Sequence, residues 1–276
     1  MNIFPRNISR IALNYLDNHR ILDVAISAAQ GAADIILLAS KESKFSIHKG
    51  RTDLVTKTDK DSEEFVCNKI REVFPKHGIL AEESGCSLSE SEYQWIIDPL
   101  DGTTNFIHDY PSFGVSIGIM KNEEPIVACV VELPARNIYT AIKGQGAFCN
   151  NKTISVSSVD DLGKSLFVTG FGYEHGKRWE QNMILFKRFT DIGQGVRRLG
   201  AAAVDLCHVA SGKVDGFWEF ELHPWDTAAG ILIVTESGGK ISKMNGEQFT
   251  IYDKQIIASN GLVHNKIINE INFHSA

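Results

Sequence analysis

Four short segments each set acidic residues beside glycine, small residues or the end of an apolar run. They are Ala81-Glu82-Glu83-Ser84-Gly85, Asp98-Pro99-Leu100-Asp101-Gly102-Thr103-Thr104-Asn105, Glu219-Phe220-Glu221 and His223-Pro224-Trp225-Asp226-Thr227-Ala228-Ala229-Gly230. The second is informative by itself. It follows Trp95-Ile96-Ile97, which reads as a short buried strand, and Pro99 fixes the backbone between the acids. One rigid turn can therefore present two carboxylates together with the carbonyl of Leu100. Oxygen donors without His or Cys nearby select a hard cation, Mg2+ or Mn2+ rather than Zn2+, and Mg2+ usually completes its shell with water and phosphate oxygens. Directly afterwards, Gly102-Thr103-Thr104 offers successive N–H groups and two hydroxyls, which is what an anion needs at a helix start or nest. A cation site and a phosphate site thus adjoin in sequence. Asp226 falls just inside a predicted helix whose first turn accommodates Pro224, so the helix dipole favours its anion and it could complete the cage.

Each residue also has a plainer reading. Asp98 and Asp101 could be turn and cap residues, Asp226 an ordinary acid of a first helical turn, and Glu82-Glu83 a solvated pair. Glu219 and Glu221 could share one exposed face of a strand. Cys207-His208, at helical spacing among apolar residues, reads as a packing position and not as a ligand pair. The acids gain force jointly.

The elements that must position them can be read from periodicity. Ile21, Ala25, Ala28, Ala32 and Ile35 recur at three and four and predict a helix over 21–38 with one buried stripe. A second helix starts at Thr58, with Thr58-x-x-Asp61 as a capping-box variant, buries Val66, Ile70 and Val73, and stops before Pro75 and Gly78. Val115, Ile117 and Ile119 alternate with Ser116, Gly118 and Met120, and a turn over 122–125 leads into Ile126 to Val131, so an antiparallel pair is expected. Beyond the turn residues Gly144-Gln145-Gly146 and Asn150-Asn151, strands over 166–169 and 214–220 alternate with helices over 179–189, 201–210 and 225–235, the last stopped by Gly238-Gly239. The second half is therefore α/β. Two lobes sharing one core, with a seam near residue 155, divide the chain into an extension over 1–20, an α+β lobe over 21–155 and an α/β lobe over 156–276. Ligands favour such seams.

Composition excludes several classes. With 276 residues, 43% hydrophobic and 22% charged, the chain can bury roughly three quarters of its surface, and disulfide-stapled modules, disorder and coiled coil are poor fits. The balance of 28 basic against 34 acidic residues, without a basic run, argues against direct nucleic-acid binding. The longest unbroken apolar stretches, Ile35 to Ala39 and Ile126 to Val131, fall far short of the ~18 residues that suggest a span. No secretory h-region develops after Pro5 and Arg6, and five widely spaced cysteines suit reduced thiols, so a soluble, cytoplasmic protein is expected.

Together these residues resemble the inositol monophosphatase family, within the lithium-sensitive, Mg2+-dependent phosphatases that include fructose-1,6-bisphosphatase. The likeness runs from about residue 21 to 262. It rests on the stretch from Trp95 to Phe106 and on Trp225 to Gly230. Asp53-Leu54-Val55-Thr56 with Thr58-Asp59, Glu82-Glu83-Ser84, Gly144-x-Gly146-Ala147 and Arg198-Leu199-Gly200-Ala201-Ala202-Ala203 support it. The resemblance implies a layered αβαβα sandwich, commonly a homodimer. It implies that Glu82, Asp98, Asp101, Asp226 and the Leu100 carbonyl bind two or three Mg2+, with Asp98 bridging and Glu82 and Glu83 holding a further ion and its water. Thr103, helped by Asp59, would position or deprotonate the attacking water. Gly102 and Thr103 would bind phosphate, and Gly200, Ala201, Ala202 and Glu219 would line the alcohol side. Many members carry Lys where an ungapped match puts His48, with Lys49 adjacent.

The reaction so implied is hydrolysis of a small polyol phosphate, inositol 1-phosphate before others, by in-line attack of a metal-activated water. Adenosine 3',5'-bisphosphate, fructose 1,6-bisphosphate and histidinol phosphate are the alternative substrates. A role as a regulatory partner of the transcription machinery is the alternative from another class.

Overall fold

The computed structural model describes residues 6–41, 46–48, 54–87, 89–172 and 175–275. Helix α1 (Arg6–Ala39) leads into a small hairpin of β1 (Ser46–His48) and β2 (Leu54–Thr56), then α2 (Lys57–Val73), β3 (Gly78–Ala81), β4 (Gly85–Ser87), β5 (Tyr93–Asp101) and the single-turn α3 (Thr103–Ile107). A meander follows of β6 (Phe113–Lys121), β7 (Glu124–Leu133), β8 (Asn137–Ile142), β9 (Ala147–Cys149) and β10 (Lys152–Thr153). The rest comprises β11 (Leu166–Thr169), α4 (Lys177–Ile192), β12 (Gly195–Arg197), α5 (Ala202–Ala210), β13 (Gly216–Phe220), α6 (Pro224–Glu236), β14 (Lys240–Ser242), β15 (Gln255–Ser259) and α7 (His264–Ser275).

Among the described residues, eight strands form one sheet in the order β10-β9-β8-β7-β6-β5-β3-β4, and five form another in the order β12-β11-β13-β15-β14. Helices α1 and α2 cover one face of the larger sheet, α5 and α6 lie between the two sheets, and α4 and α7 cover the far face of the smaller one. These five layers are the expected αβαβα sandwich. Three apolar clusters fill the interfaces, two on the outer faces of the sheets and a middle one that runs on both sides of α5 and α6. The middle one is tight because α6 meets the large sheet through Ala228 and Ala229, placed against the backbone of Gly118.

Several elements depart from the sequence reading. Helix α1 begins at Arg6 and not Ile21, so residues 6–20 belong to it, and its buried stripe continues through Ile36 in place of Ile35. The segment Leu16–Ala39 has a mean hydropathy of 1.7 and is long and apolar enough to cross a membrane by composition, which counting unbroken runs overlooked because single polar residues interrupt it. Here one stripe of it is buried against α2 and β7, while Leu16 and Leu38 on its outer side are exposed. The cap of α2 is Thr56 with Asp59, two residues before the expected pair. Strand β5 extends through Pro99 to Asp101, so the two acids lie along a strand end with a register shift between them, and not in a turn after it. In the smaller sheet, β11 runs parallel to β12 and β13, but β15 adds antiparallel to β13.

Outside the site, Glu132 on β7 ties the large sheet to the middle layer. Its carboxylate accepts from Asn137 Nδ2 (2.9 Å) and Tyr139 OH (3.1 Å), pairs with His208 Nε2 of α5 (3.0 Å) and lies 3.6 Å from Lys213 Nζ. The expected packing role of His208 thus comes with an ion-pair partner. Burial pushes the Glu132 carboxyl up, but the hydrogen bonds from His208 and Asn137 and the charges of His208 and Lys213 outweigh it and hold it down at about 2. A folded-state value below the unfolded one is stability present above the unfolded value and lost as pH falls through that window. Glu132→Gln should therefore flatten the acid limb of the stability curve between about pH 4.5 and pH 2. Urea unfolding at pH 7 and pH 3.5 checks this, with a wild-type excess loss on the order of 2 kcal/mol expected.

Candidate active site

The carboxyl ends of β3, β5 and β13 and the start of α6 open on one cavity of about 1080 Å³. Glu82 follows β3, Asp98, Leu100 and Asp101 end β5, Gly102 and Thr103 start α3, Glu219 lies near the end of β13, and Asp226 sits in the first turn of α6. All of them line the cavity, as do Gly200, Ala201 and Ala202 at the entry to α5. Four segments remote in sequence thus meet in one place. Asp59 and Glu83 are not among its lining residues.

Main-chain amides hold the acids. Asp98 Oδ1 accepts from the N–H of Leu100 (3.0 Å), and Asp226 Oδ2 from that of His223 (2.6 Å). Asp101 accepts at the N-terminus of α5 from Ala202 (3.1 Å), Ala203 (2.8 Å) and Val204 (3.4 Å), where free N–H groups and the helix dipole favour an anion. Asn105 Nδ2 donates to the carbonyls of Ser112 and Leu199 (2.6 Å each) and so clamps β5's exit to the α5 entry loop. Gly102, at φ +88°, passes close to the Gly200 carbonyl and the Ala201 methyl, an approach and a conformation that suit glycine alone.

Behind the wall, the Asp59 carboxylate closes the α2 cap with Thr56 and accepts the Thr103 hydroxyl proton at 2.8 Å. The same hydroxyl lies 3.2 Å from the Leu100 carbonyl. Glu219 is 9% exposed and belongs to β13, whereas Glu221 has left the strand at φ +66°, so the two do not share a solvated face. A Cβ on Gly170 would stand 1.9 Å from Glu219 Oε1, so glycine makes room for this acid.

Amides orient carboxylates without neutralising them. Burial, and then the negative charges of Glu82, Asp101 and Asp226, push Asp98 well above the usual carboxylate range. Exclusion from water also raises Asp226, with Asp101 and Glu82 adding to it against the His223 amide. Burial raises Asp101 to about 6 despite its three amide bonds. Glu219 is raised by burial, Asp226 and Asp101, with Arg198 opposing. A cluster of mutually repelling oxygen donors suits hard cations.

The sequence likeness settles the class. Residues 17–276 match the inositol monophosphatase family. The chain belongs to that family. The chloroplastic phosphatase IMPL1 of Arabidopsis thaliana is 46% identical over 91% of this chain and 70% of its own length. The inositol-1-monophosphatase of Synechocystis is 41% identical over 89% of this chain and 86% of its own. The crystal structure of the extragenic suppressor protein suhB from Bartonella henselae superposes with a TM-score of 0.88 at 33% identity, over 91% of this chain and 98% of that one. The family is one of metal-dependent phosphatases, so the chain is an enzyme of that class.

The geometry gives roles to residues to which the sequence assigned none. Asn105 and Gly170 act as described, and Arg198, His223 and Lys254 line the cavity. Asp205, on α5, is fully buried with neither carboxylate oxygen hydrogen-bonded among the described residues. A polar residue on an otherwise apolar helical stripe was the available signal for Asp205. Arg198 opens one of the stretches that carry the family resemblance, whereas nothing local marks Lys254. His48 and Lys49 fall where the structure describes at most the backbone.

Because Asp98 and Asp226 have folded values above their unfolded ones, their contribution favours the fold below about pH 3.8 and is lost as pH rises through the raised values. At pH 7 their charges count against the metal-free fold. Asp98→Asn should therefore raise the Tm of EDTA-treated protein by a few degrees, at roughly 2–4 °C per kcal/mol. A divalent cation should raise the wild-type Tm and leave the variant nearly unmoved. Thermal melts by circular dichroism check both, and a lower Tm for the variant in EDTA would contradict the repulsion.

Proposed function

We propose that this enzyme hydrolyses the phosphate ester of a small polyol, inositol 1-phosphate before others, and that its ion is Mg2+. The observation that carries the reading is the convergence of Glu82, Asp98, Asp101 and Asp226 on one cavity, where the charges nearest Asp98 are other carboxylates. Glu82, Asp98, Asp101, Asp226 and the Leu100 carbonyl would hold the ions, with Glu83 next to Glu82 just outside the wall. Bound there, Mg2+ supplies the positive charge that neutralises phosphoryl oxygens and acidifies water.

The chain's own residues do the rest. Thr103 spends its proton on Asp59 Oδ1, which leaves the lone pairs of Oγ1 to accept from the attacking water. As that proton arrives, Oγ1 passes its own to Asp59, whose carboxyl is raised by burial against the opposing hydrogen bonds of Thr56 and Thr103 and is a correspondingly better acceptor. The amides of Gly102 and Thr103 bind phosphate oxygens. Gly200, Ala201 and Ala202 shape the alcohol side, and Glu219 accepts from hydroxyls remote from the phosphate. The packing of α1's apolar stripe against α2 and β7 supports a soluble enzyme, which we read as cytoplasmic. From the resemblance we take it to be a homodimer.

Phosphate release from inositol 1-phosphate should require Mg2+, stop in EDTA and be inhibited by lithium, which occupies a hard-oxygen site with half the charge. Asp101→Asn and Asp226→Asn should each lower kcat roughly 100-fold or more in folded protein. Full activity after exhaustive metal removal would overturn the reading. Glu219→Gln should lower kcat/KM for inositol 1-phosphate about tenfold or more, and much less for a flat aryl phosphate that lacks those hydroxyls. Equal losses on both substrates would remove Glu219 from polyol recognition.

A further inference from the structure

Helix α2 touches the site at three points from one face. Asp59 accepts from Thr103, Ser62 Oγ donates to the Pro99 carbonyl (2.7 Å), and Glu63 accepts the main-chain N–H groups of Glu83 (2.8 Å, Oε2) and Ser84 (2.9 Å, Oε1). Positions i, i+3 and i+4 of a helix share a face, so these residues form one row. Two of them hold β5, at Pro99 within it and Thr103 just after it, and the third holds the 82–84 turn after β3. Glu63 is 4% exposed, at the point where the buried polar residues of α2 give way to Val66, Cys67 and Ile70. Burying a carboxylate there is costly unless it is well bonded, and the two successive amides give it that bonding. The turn they belong to carries Glu82, whose own N–H donates to the Ile97 carbonyl (3.2 Å). Glu82 is thus pinned on its N-terminal side by β5 and on its C-terminal side by Glu63.

We propose that Glu63 is a positioning residue for the cation site: by gripping the amides of Glu83 and Ser84 in both carboxylate oxygens, it fixes the Glu82 carboxylate opposite Asp98. The proposal rests on the metal-dependent phosphatase reading above. It separates Glu63 from a residue that merely stabilises α2, because its effect concentrates on cation affinity. Gln at this position puts an NH2 against one of the two amides, and Asp keeps the charge but is a methylene too short to span both.

The test is Mn2+ binding by wild type, Glu63→Gln, Glu63→Asp and the exposed control Glu72→Gln, counted by electron paramagnetic resonance of free Mn2+. Amide hydrogen exchange of residues 82–85 and the Mn2+ dependence of phosphate release accompany it. Both Glu63 variants should lose protection at Glu83 and Ser84 while the α2 amides stay protected. Their half-saturating Mn2+ should rise about tenfold or more, the range seen when partners of metal ligands are removed, with kcat at saturating Mn2+ changed far less. Glu72→Gln should match wild type. Wild-type Mn2+ affinity in both Glu63 variants would overturn the proposal, as would a Glu63→Asp variant that binds normally, which would reduce the role to charge. Variants that lose α2 protection throughout would also overturn it, in favour of a purely structural role. Wild-type protein that neither binds Mn2+ nor releases phosphate would overturn the phosphatase reading and this proposal with it, and is recognised because the failure appears before any substitution.

Discussion

Carboxylates crowded into one cavity are the constraint around which this fold is arranged. Asp98 and Asp101 are 2% and 6% exposed, and Asp226 and Glu82 stand close enough to raise the Asp98 carboxyl further. Basic side chains could have compensated them, as His208 and Lys213 compensate Glu132. Instead they accept hydrogen bonds from main-chain amides at strand ends and helix starts. An amide fixes the direction of a carboxylate and leaves most of its charge in place. Negative potential is thereby stored at a defined point, where a substrate anion alone would be repelled and an anion accompanied by cations would be attracted.

The layering follows from that need. The acids come from β5, β3 and α6, and their amide partners from α5 and the His223 loop, so both sheets and the helices between them must register to within hydrogen-bonding distance. Asn105 bridges β5's exit to the α5 entry, and α6 can lie close to the large sheet because Ala228 and Ala229 meet Gly118. A change in that middle layer would move Asp226 relative to Asp98 without touching either. From the opposite face, the Asp59, Ser62 and Glu63 row of α2 holds the β3 and β5 exits. The site is thus held from both sides of the large sheet.

The parts legible in the sequence were those whose signal is local. Asp98-Pro99-Leu100-Asp101-Gly102-Thr103 exposes its chemistry in residue types alone, and strand alternation over β6 and β7 gave their antiparallel pairing. Helix boundaries inside the second half held to within a few residues because apolar spacing and turn glycines agree there. What stayed hidden depends on partners far along the chain. Glu63 looks like one more helical acid until the 82–84 turn lies over it, and Asp101's three amide bonds come from residues about a hundred positions later. The start of α1 was hidden because residues 6–20 carry charges that blur its periodicity. β15 was missed because a short antiparallel strand joining a parallel set has no signature of its own.

The central claim is that cations convert an anion-repelling pocket into a phosphate site. Calorimetric titration of the wild-type protein with inorganic phosphate, in Mg2+ and again in EDTA, tests it most directly. The account predicts binding at one site per chain in Mg2+ and no measurable heat of binding in EDTA, where Asp98, Asp101 and Asp226 face the phosphate uncompensated. Phosphate binding of equal affinity in both conditions would contradict it.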